Sequence, residues 1–122
     1  MGRSLGTGVA VYLAQNRAVE GVILVTPYDS LTSVSQEKFP FLPVSFLLKH
    51  KFDSGSRAPS IAAPLLALAA KDDTIIPPLH AKRLVEKWGG PRTLEVLEGV
   101  DHNSVDSNPV YWETIRTFLS RM

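Results

Sequence analysis

Two short stretches of this chain are apolar without interruption. Val22-Ile23-Leu24-Val25, entered through Gly21, and Leu65-Leu66-Ala67-Leu68-Ala69 contain no polar side chain, and runs so short and so apolar predict strands buried on both faces. A third stretch, Thr93-Leu94-Glu95-Val96-Leu97, alternates polar with apolar and predicts an outer strand. Elsewhere the period is helical. Residues 5–17 predict a helix closed by Gln15-Asn16-Arg17. Residues 78–88 put Ala81, Leu84, Val85 and Trp88 on one face and His80 on the exposed side; Gly89-Gly90 then stands at the usual left-handed terminus. Asn108 followed by Pro109 is an N-cap signal, opening a helix whose docked face is Trp112, Ile115, Phe118 and Leu119. Residues 27–63, with four prolines and Phe39, Phe41, Phe46 and Phe52, predict irregular structure with short helices, one around 44–50, over a sheet edge. The order helix, strand, strand, helix, strand, helix is an α/β alternation, which implies a parallel sheet covered on both sides.

Composition narrows the function classes. A chain of 122 residues makes one small domain. Thirteen basic against twelve acidic side chains leave a net charge of +1, which speaks against nucleic acid or an anionic membrane as partner. No apolar run approaches a membrane span and no signal peptide is visible. The absence of cysteine excludes disulfides, thiol catalysis and thiolate metal sites, and suits a cytoplasmic protein. Three scattered histidines without a His-x-x-x-His pair argue against any metal site. No cofactor is expected.

Candidate chemistry starts at the N-terminus, where Gly2-Arg3-Ser4-Leu5-Gly6 is a G-x-S-x-G pentapeptide. Such a turn between strand and helix lifts the serine hydroxyl clear of the backbone, and its glycines serve where chain passes too close for a Cβ. Chance places the pentapeptide in about 4% of chains this long, so the motif needs its context. In open parallel sheets functional groups collect at the carboxyl ends of strands. The loop after the second apolar run holds Lys71-Asp72-Asp73, and the loop after the alternating strand holds Asp101-His102-Asn103. Each residue alone has an ordinary reading: a helix start, a turn carboxylate, a solvated histidine. Together they stand in the order Ser, Asp, His, each at a strand end, which is the order of an α/β-hydrolase triad.

On these residues the chain resembles the α/β-hydrolase superfamily, and within it the serine aminopeptidase-like and prolyl-oligopeptidase-like branch. The matching stretches are Gly2–Ala14 (GRSLGTGVAVYLA), Val25–Leu31 (VTPYDSL), Ala70–Ala81 (AKDDTIIPPLHA), Gly99–Asn103 (GVDHN) and Pro109–Leu119 (PVYWETIRTFL). The resemblance implies a partial α/β-hydrolase fold over residues 1–122, three parallel strands flanked by helices, with 27–63 as a cap-like insertion. It implies Ser4 as nucleophile, His102 as base and later acid, and Asp73, through an Asp-x-x-x-Pro turn ending at Pro77, as the residue that orients the imidazole. The backbone N–H of Leu5 would be an oxyanion donor. The substrate class is then a small acyl ester or thioester. The family's sheet has about eight strands, and no strand is expected ahead of Ser4. The chain therefore reads as a C-terminal fragment with impaired activity. The alternative is a non-catalytic fragment that self-associates, or pairs with a partner, through an open apolar strand edge. A phosphate-binding reading of Gly6-Thr7-Gly8 is weaker and needs the same preceding strand.

Overall fold

The computed structural model describes residues 1–4, 6–28 and 53–122. Its sheet has four parallel strands in the order β1-β2-β3-β4: β1 Gly2–Arg3, β2 Val22–Val25, β3 Leu65–Ala70 and β4 Arg92–Leu97. Three of these lie on the segments that the hydrophobic pattern singles out. The fourth corrects the expectation that no strand precedes Ser4, because Gly2 and Arg3 pair in register with Leu24 and Val25. Two residues are too few to carry a periodicity, so the sequence offers no signal for this strand.

The continuous apolar runs follow from burial on both faces. Every residue of β3 is at most 2% exposed. Ile23, Val25, Leu66, Leu68 and Ala70 pack with Leu97, Val100, Val105, Tyr111 and Ile115. Val22, Leu24, Leu65 and Ala67 face the other way, onto Val11, Ala58, Ile61, Leu84 and Trp88. Helices α1 (Gly6–Asn16) and α3 (Pro78–Lys87) cover that second side; α2 (Ser54–Arg57) and a following 3-10 turn, Ala58–Ser60, fill in beside them. The first side is covered by α4 (Pro109–Ser120), whose N-cap Asn108 accepts a hydrogen bond from the Val110 N–H. β4, paired on one side only among the described residues, keeps exposed residues, as its alternation requires. The helix expected around 44–50, and with it most of the cap-like segment, lies outside the described residues.

Three local expectations are corrected. His80 is buried, at 1% exposure; it stands four residues before Leu84 and so shares the docked stripe of α3. On α4 the buried residues are Tyr111 and Ile115, with Phe118 partly buried, while Trp112 and Leu119 remain more than half exposed. The docked stripe runs 111, 115, 118, one position round from the expected one, and Trp112 packs edge-on against Tyr111 with centroids 4.9 Å apart. Gly89 and Gly90 are not left-handed. Trp88 ends α3 in extended conformation; its indole N–H donates to the Ala63 carbonyl at 2.8 Å, and the Gly89 N–H donates to Ala58 at 3.0 Å. The two glycines let the chain lie flat on segment 58–63.

Two outcomes follow from this packing. A Cβ on Gly89 meets the Pro59 carbonyl oxygen, and one on Gly90 meets that of Ala62, so Gly89→Ala or Gly90→Ala is expected to cost about 1–3 kcal/mol, read as a lower denaturant midpoint. Tyr28 is fully buried, and burial pushes its phenol up to about 12 despite an opposing hydrogen bond from the Gly8 backbone. The folded state therefore holds this proton where the unfolded chain, at about pH 10, releases it. Stability from this group is complete below about pH 10 and falls as pH rises toward about 12. Tyr28→Phe should flatten that alkaline decline in denaturation measured against pH.

Candidate active site

All strands of the sheet point the same way, so the turns that follow β1, β3 and β4 open at one edge. Ser4 ends β1 in the left-handed region, with φ of 54°. A serine reaches that conformation only when its neighbours hold it there, and they do on both sides. Its N–H donates to the Val25 carbonyl at 2.9 Å, and its carbonyl accepts from the Thr7 N–H at 3.0 Å and the Thr7 hydroxyl at 2.7 Å. Thr7 is fully buried in the first turn of α1. The clearance argument for the flanking glycines holds at Gly2, where a Cβ would stand 2.6 Å from the Gly6 carbonyl oxygen. It does not hold at Gly6, which has no close neighbour among the described residues.

A second strained residue lies next door. Thr26 follows β2 with φ of 51°, which for a β-branched side chain is a true outlier. Its N–H donates to Leu68 at 2.6 Å and its hydroxyl to Val25 at 2.7 Å. Val25 thus accepts from both strained residues. Sequence reasoning passes over Thr26, because threonine after an apolar run has no distinctive spacing, and meets Thr7 only within the weak phosphate-binding reading of Gly6-Thr7-Gly8.

Asp73 sits in the turn after β3, its side chain fully withdrawn from solvent. One carboxylate oxygen, Oδ1, accepts from the N–H groups of Ile75 at 2.9 Å and Ile76 at 2.8 Å. The other, Oδ2, is 2.8 Å from His102 Nδ1. Neighbouring Asp72, the other carboxylate of this turn, is exposed. His102 rides on the loop after β4, mostly covered, with Nε2 2.9 Å from the Ser4 hydroxyl. An ionised carboxylate only accepts, so Nδ1 carries the proton in the neutral ring. That leaves the Nε2 lone pair facing the hydroxyl, and Ser4 donates to it. The arrangement can draw a proton from the serine oxygen and hold it.

The structure brings Ser4, His102 and Asp73 into one hydrogen-bonded line. Leu5 lies outside the described residues, as do Phe39, Phe41, Phe46 and Phe52. A groove of about 530 Å³ between β4 and α4, lined by Glu95, Glu113 and Phe118 among others, contains none of the three. None of the described helices is long and apolar enough to cross a membrane.

Comparison with known proteins agrees with the fold. The family profile described as serine hydrolase matches residues 1–121. An uncharacterized protein of Mycobacterium tuberculosis is 36% identical over 121 residues, 98% of this chain and 43% of its own length. A Saccharomyces cerevisiae protein named as an uncharacterized membrane protein is 33% identical over 125 residues, 97% of this chain and 44% of its own. Among solved structures, an acetyl xylan esterase from Paenibacillus superposes with a TM-score of 0.78 at 18% identity, covering 99% of this chain and 44% of that one. The sheet and its flanking helices are an α/β-hydrolase arrangement, and the chain spans less than half the length of each of these relatives.

Asp73→Ala removes the acceptor for two backbone N–H groups and for the imidazole. Unsatisfied buried donors cost about 1–3 kcal/mol, so urea denaturation of this variant is expected to show a loss of that order. Asp73→Asn, which keeps one carbonyl oxygen toward Ile75 and Ile76, should lose less.

Proposed function

The chain belongs to the serine hydrolase family of α/β-hydrolases, and from that premise we propose that it hydrolyses acyl esters or thioesters through Ser4, His102 and Asp73. The observation that carries this reading is the pair of contacts made by one ring: Nε2 at 2.9 Å from the Ser4 hydroxyl and Nδ1 at 2.8 Å from Asp73. In the proposed reaction the Ser4 oxygen attacks the substrate carbonyl while His102 Nε2 takes its proton. The oxyanion that forms is assigned in this reading to the Leu5 backbone N–H. The carbonyl re-forms as the bond to the leaving alcohol or thiol breaks, and His102 returns the proton to that leaving group. Water then repeats the sequence on the acyl-serine, releasing the acid and restoring the hydroxyl. Asp73 stays ionised throughout and stabilises the imidazolium. Strain at Ser4, a nucleophile elbow in this reading, keeps its hydroxyl proud of the backbone.

Turnover by the 122-residue chain alone is expected to be weak, because Leu5 is its sole assigned oxyanion donor and removing one such donor typically costs about 10²–10³ in rate. The same reading places the chemistry in the cytoplasm and keeps a cap role only for the part of 27–63 that precedes Asp53, since Ala58 and Ile61 belong to the core against the sheet.

A second reading, a fragment that pairs through its sheet edge, draws on a specific feature. β1 covers only Leu24 and Val25 of β2, and on that flank Met1, Val9, Leu13 and Val19, each at least 40% exposed, line an apolar groove of about 230 Å³.

Incubation with a fluorophosphonate probe followed by intact-mass measurement separates the two readings. Hydrolase chemistry predicts a single adduct that is absent from Ser4→Ala, forms on the order of 10⁴ times more slowly in Asp73→Asn and at least as slowly in His102→Ala. No adduct on folded protein, with a discrete oligomer on size exclusion, would instead favour the pairing fragment.

A further inference from the structure

A ring that must serve Ser4 and Asp73 at once tolerates little rotation or drift, yet His102 stands on a loop without regular structure between Leu97 and Val105. What gives that loop its shape is a pair of side chains on either side of the histidine. Asp101 Oδ1 accepts from the Asn103 N–H at 3.1 Å, the Ser104 N–H at 3.1 Å and the Ser104 hydroxyl at 2.8 Å. The Ser104 oxygen in return accepts the Asp101 N–H at 3.0 Å. These bonds close a ring of chain around residues 101–104, with His102 carried on it.

The closed turn is anchored at both ends by apolar side chains. Val100, 6% exposed, and Val105, fully buried, both belong to the core beneath α4. Val100 also accepts the Asp72 N–H at 3.1 Å, and the Ser104 carbonyl accepts from the Ser107 N–H at 2.9 Å and the Ser107 hydroxyl at 2.6 Å. The loop is thereby tied to the turn that carries Asp73 on one side and to the start of α4 on the other. Asp101 itself is exposed, and the Ser104 hydroxyl, followed by backbone N–H groups, holds its carboxyl below the usual range. An exposed carboxylate engaged by this many local donors is spent on shaping the turn.

We propose that Asp101 and Ser104 are positioning residues for His102, their reciprocal hydrogen bonds holding the loop in the one conformation from which the imidazole reaches Ser4 and Asp73 together. The geometric part stands on these bonds alone; the consequence for rate rests on the hydrolase reading of the same site.

The test uses the 122-residue chain and four variants: Ser104→Ala and Asp101→Ala, which open the turn, and Ser104→Thr and Asp101→Asn, which keep a hydroxyl and a side-chain carbonyl in place. Two readouts are taken, the fluorophosphonate labelling rate and the ring nitrogen NMR shifts of His102, which report its tautomer. Displacing a reacting group by a fraction of an ångström to an ångström costs on the order of ten- to a hundredfold. Labelling is therefore expected to slow by at least about tenfold in the alanine variants and to recover to within about twofold in the conservative ones. The ring shifts should move from the single Nδ1-protonated form toward the tautomer mixture of free imidazole in the alanine variants only. Unchanged shifts and rates in both alanine variants would overturn the proposal, as would equal losses in the conservative pair. If the parent chain takes no label, the hydrolase reading fails by itself. The positioning role is then decided by the ring shifts, which either follow the alanine and conservative pattern or refute it.

Discussion

The parallel direction of the sheet is the constraint from which the rest of the molecule follows. β3 is flanked by β2 and β4 in matched register, Leu65 beside both Val22 and Arg92, Leu68 beside both Val25 and Glu95. Its residues are shut off from water on both faces, so the strand has to be apolar throughout and has to be covered by helices on both sides. Parallel pairing then delivers the chain leaving each strand to the same edge. Ser4, Asp73 and His102 are distant in sequence but neighbours in space for that reason, 98 residues separating the first from the last.

At that edge the backbone carries strain that its surroundings hold in place. Left-handed conformations at Ser4 and Thr26 each cost on the order of 1–3 kcal/mol. Set against them are the bonds that Ser4 makes with Val25 and Thr7, and that Thr26 makes with Leu68 and Val25. A net worth of about 0.5–1.5 kcal/mol for each such bond is of comparable size. Val25 is the shared acceptor, so the two strained turns are mechanically one feature spanning β1 and β2. Exposed ion pairs contribute little by comparison. Lys71 and Glu98 approach to 3.5 Å with both side chains mostly in water, a setting in which such pairs are worth about 0–1 kcal/mol.

The polar line from Ser4 to Asp73 is more than two contacts in a row, because each member is fixed from behind. Asp73 is held by Ile75 and Ile76, Ser4 by Thr7 and Val25, and the loop of His102 by Asp101 and Ser104. The supporting groups are mostly backbone amides, hydroxyls and one exposed carboxylate, which do not stand out in a sequence the way a glycine-flanked serine does.

Hydrophobic period and turn residues were enough by themselves to determine the α/β class, the three longer strands and the extents of the main helices, and the resemblance to a family motif singled out Ser4, Asp73 and His102 as candidates. Those features are legible because burial on two faces demands unbroken apolar runs, and chain order around a parallel sheet maps directly onto position along its edge. Tertiary structure alone decided the rest. Gly2–Arg3 became a strand only because β2 offered it an edge. His80 went inside and Trp112 stayed outside because the rotation of a helix on its sheet is settled by the fit of α3 and α4 to the surfaces they meet. Gly89 and Gly90 serve close approach to Pro59 and Ala62 and make no left-handed turn. Periodicity records which residues avoid water; what each of them meets there depends on segments far away in the chain.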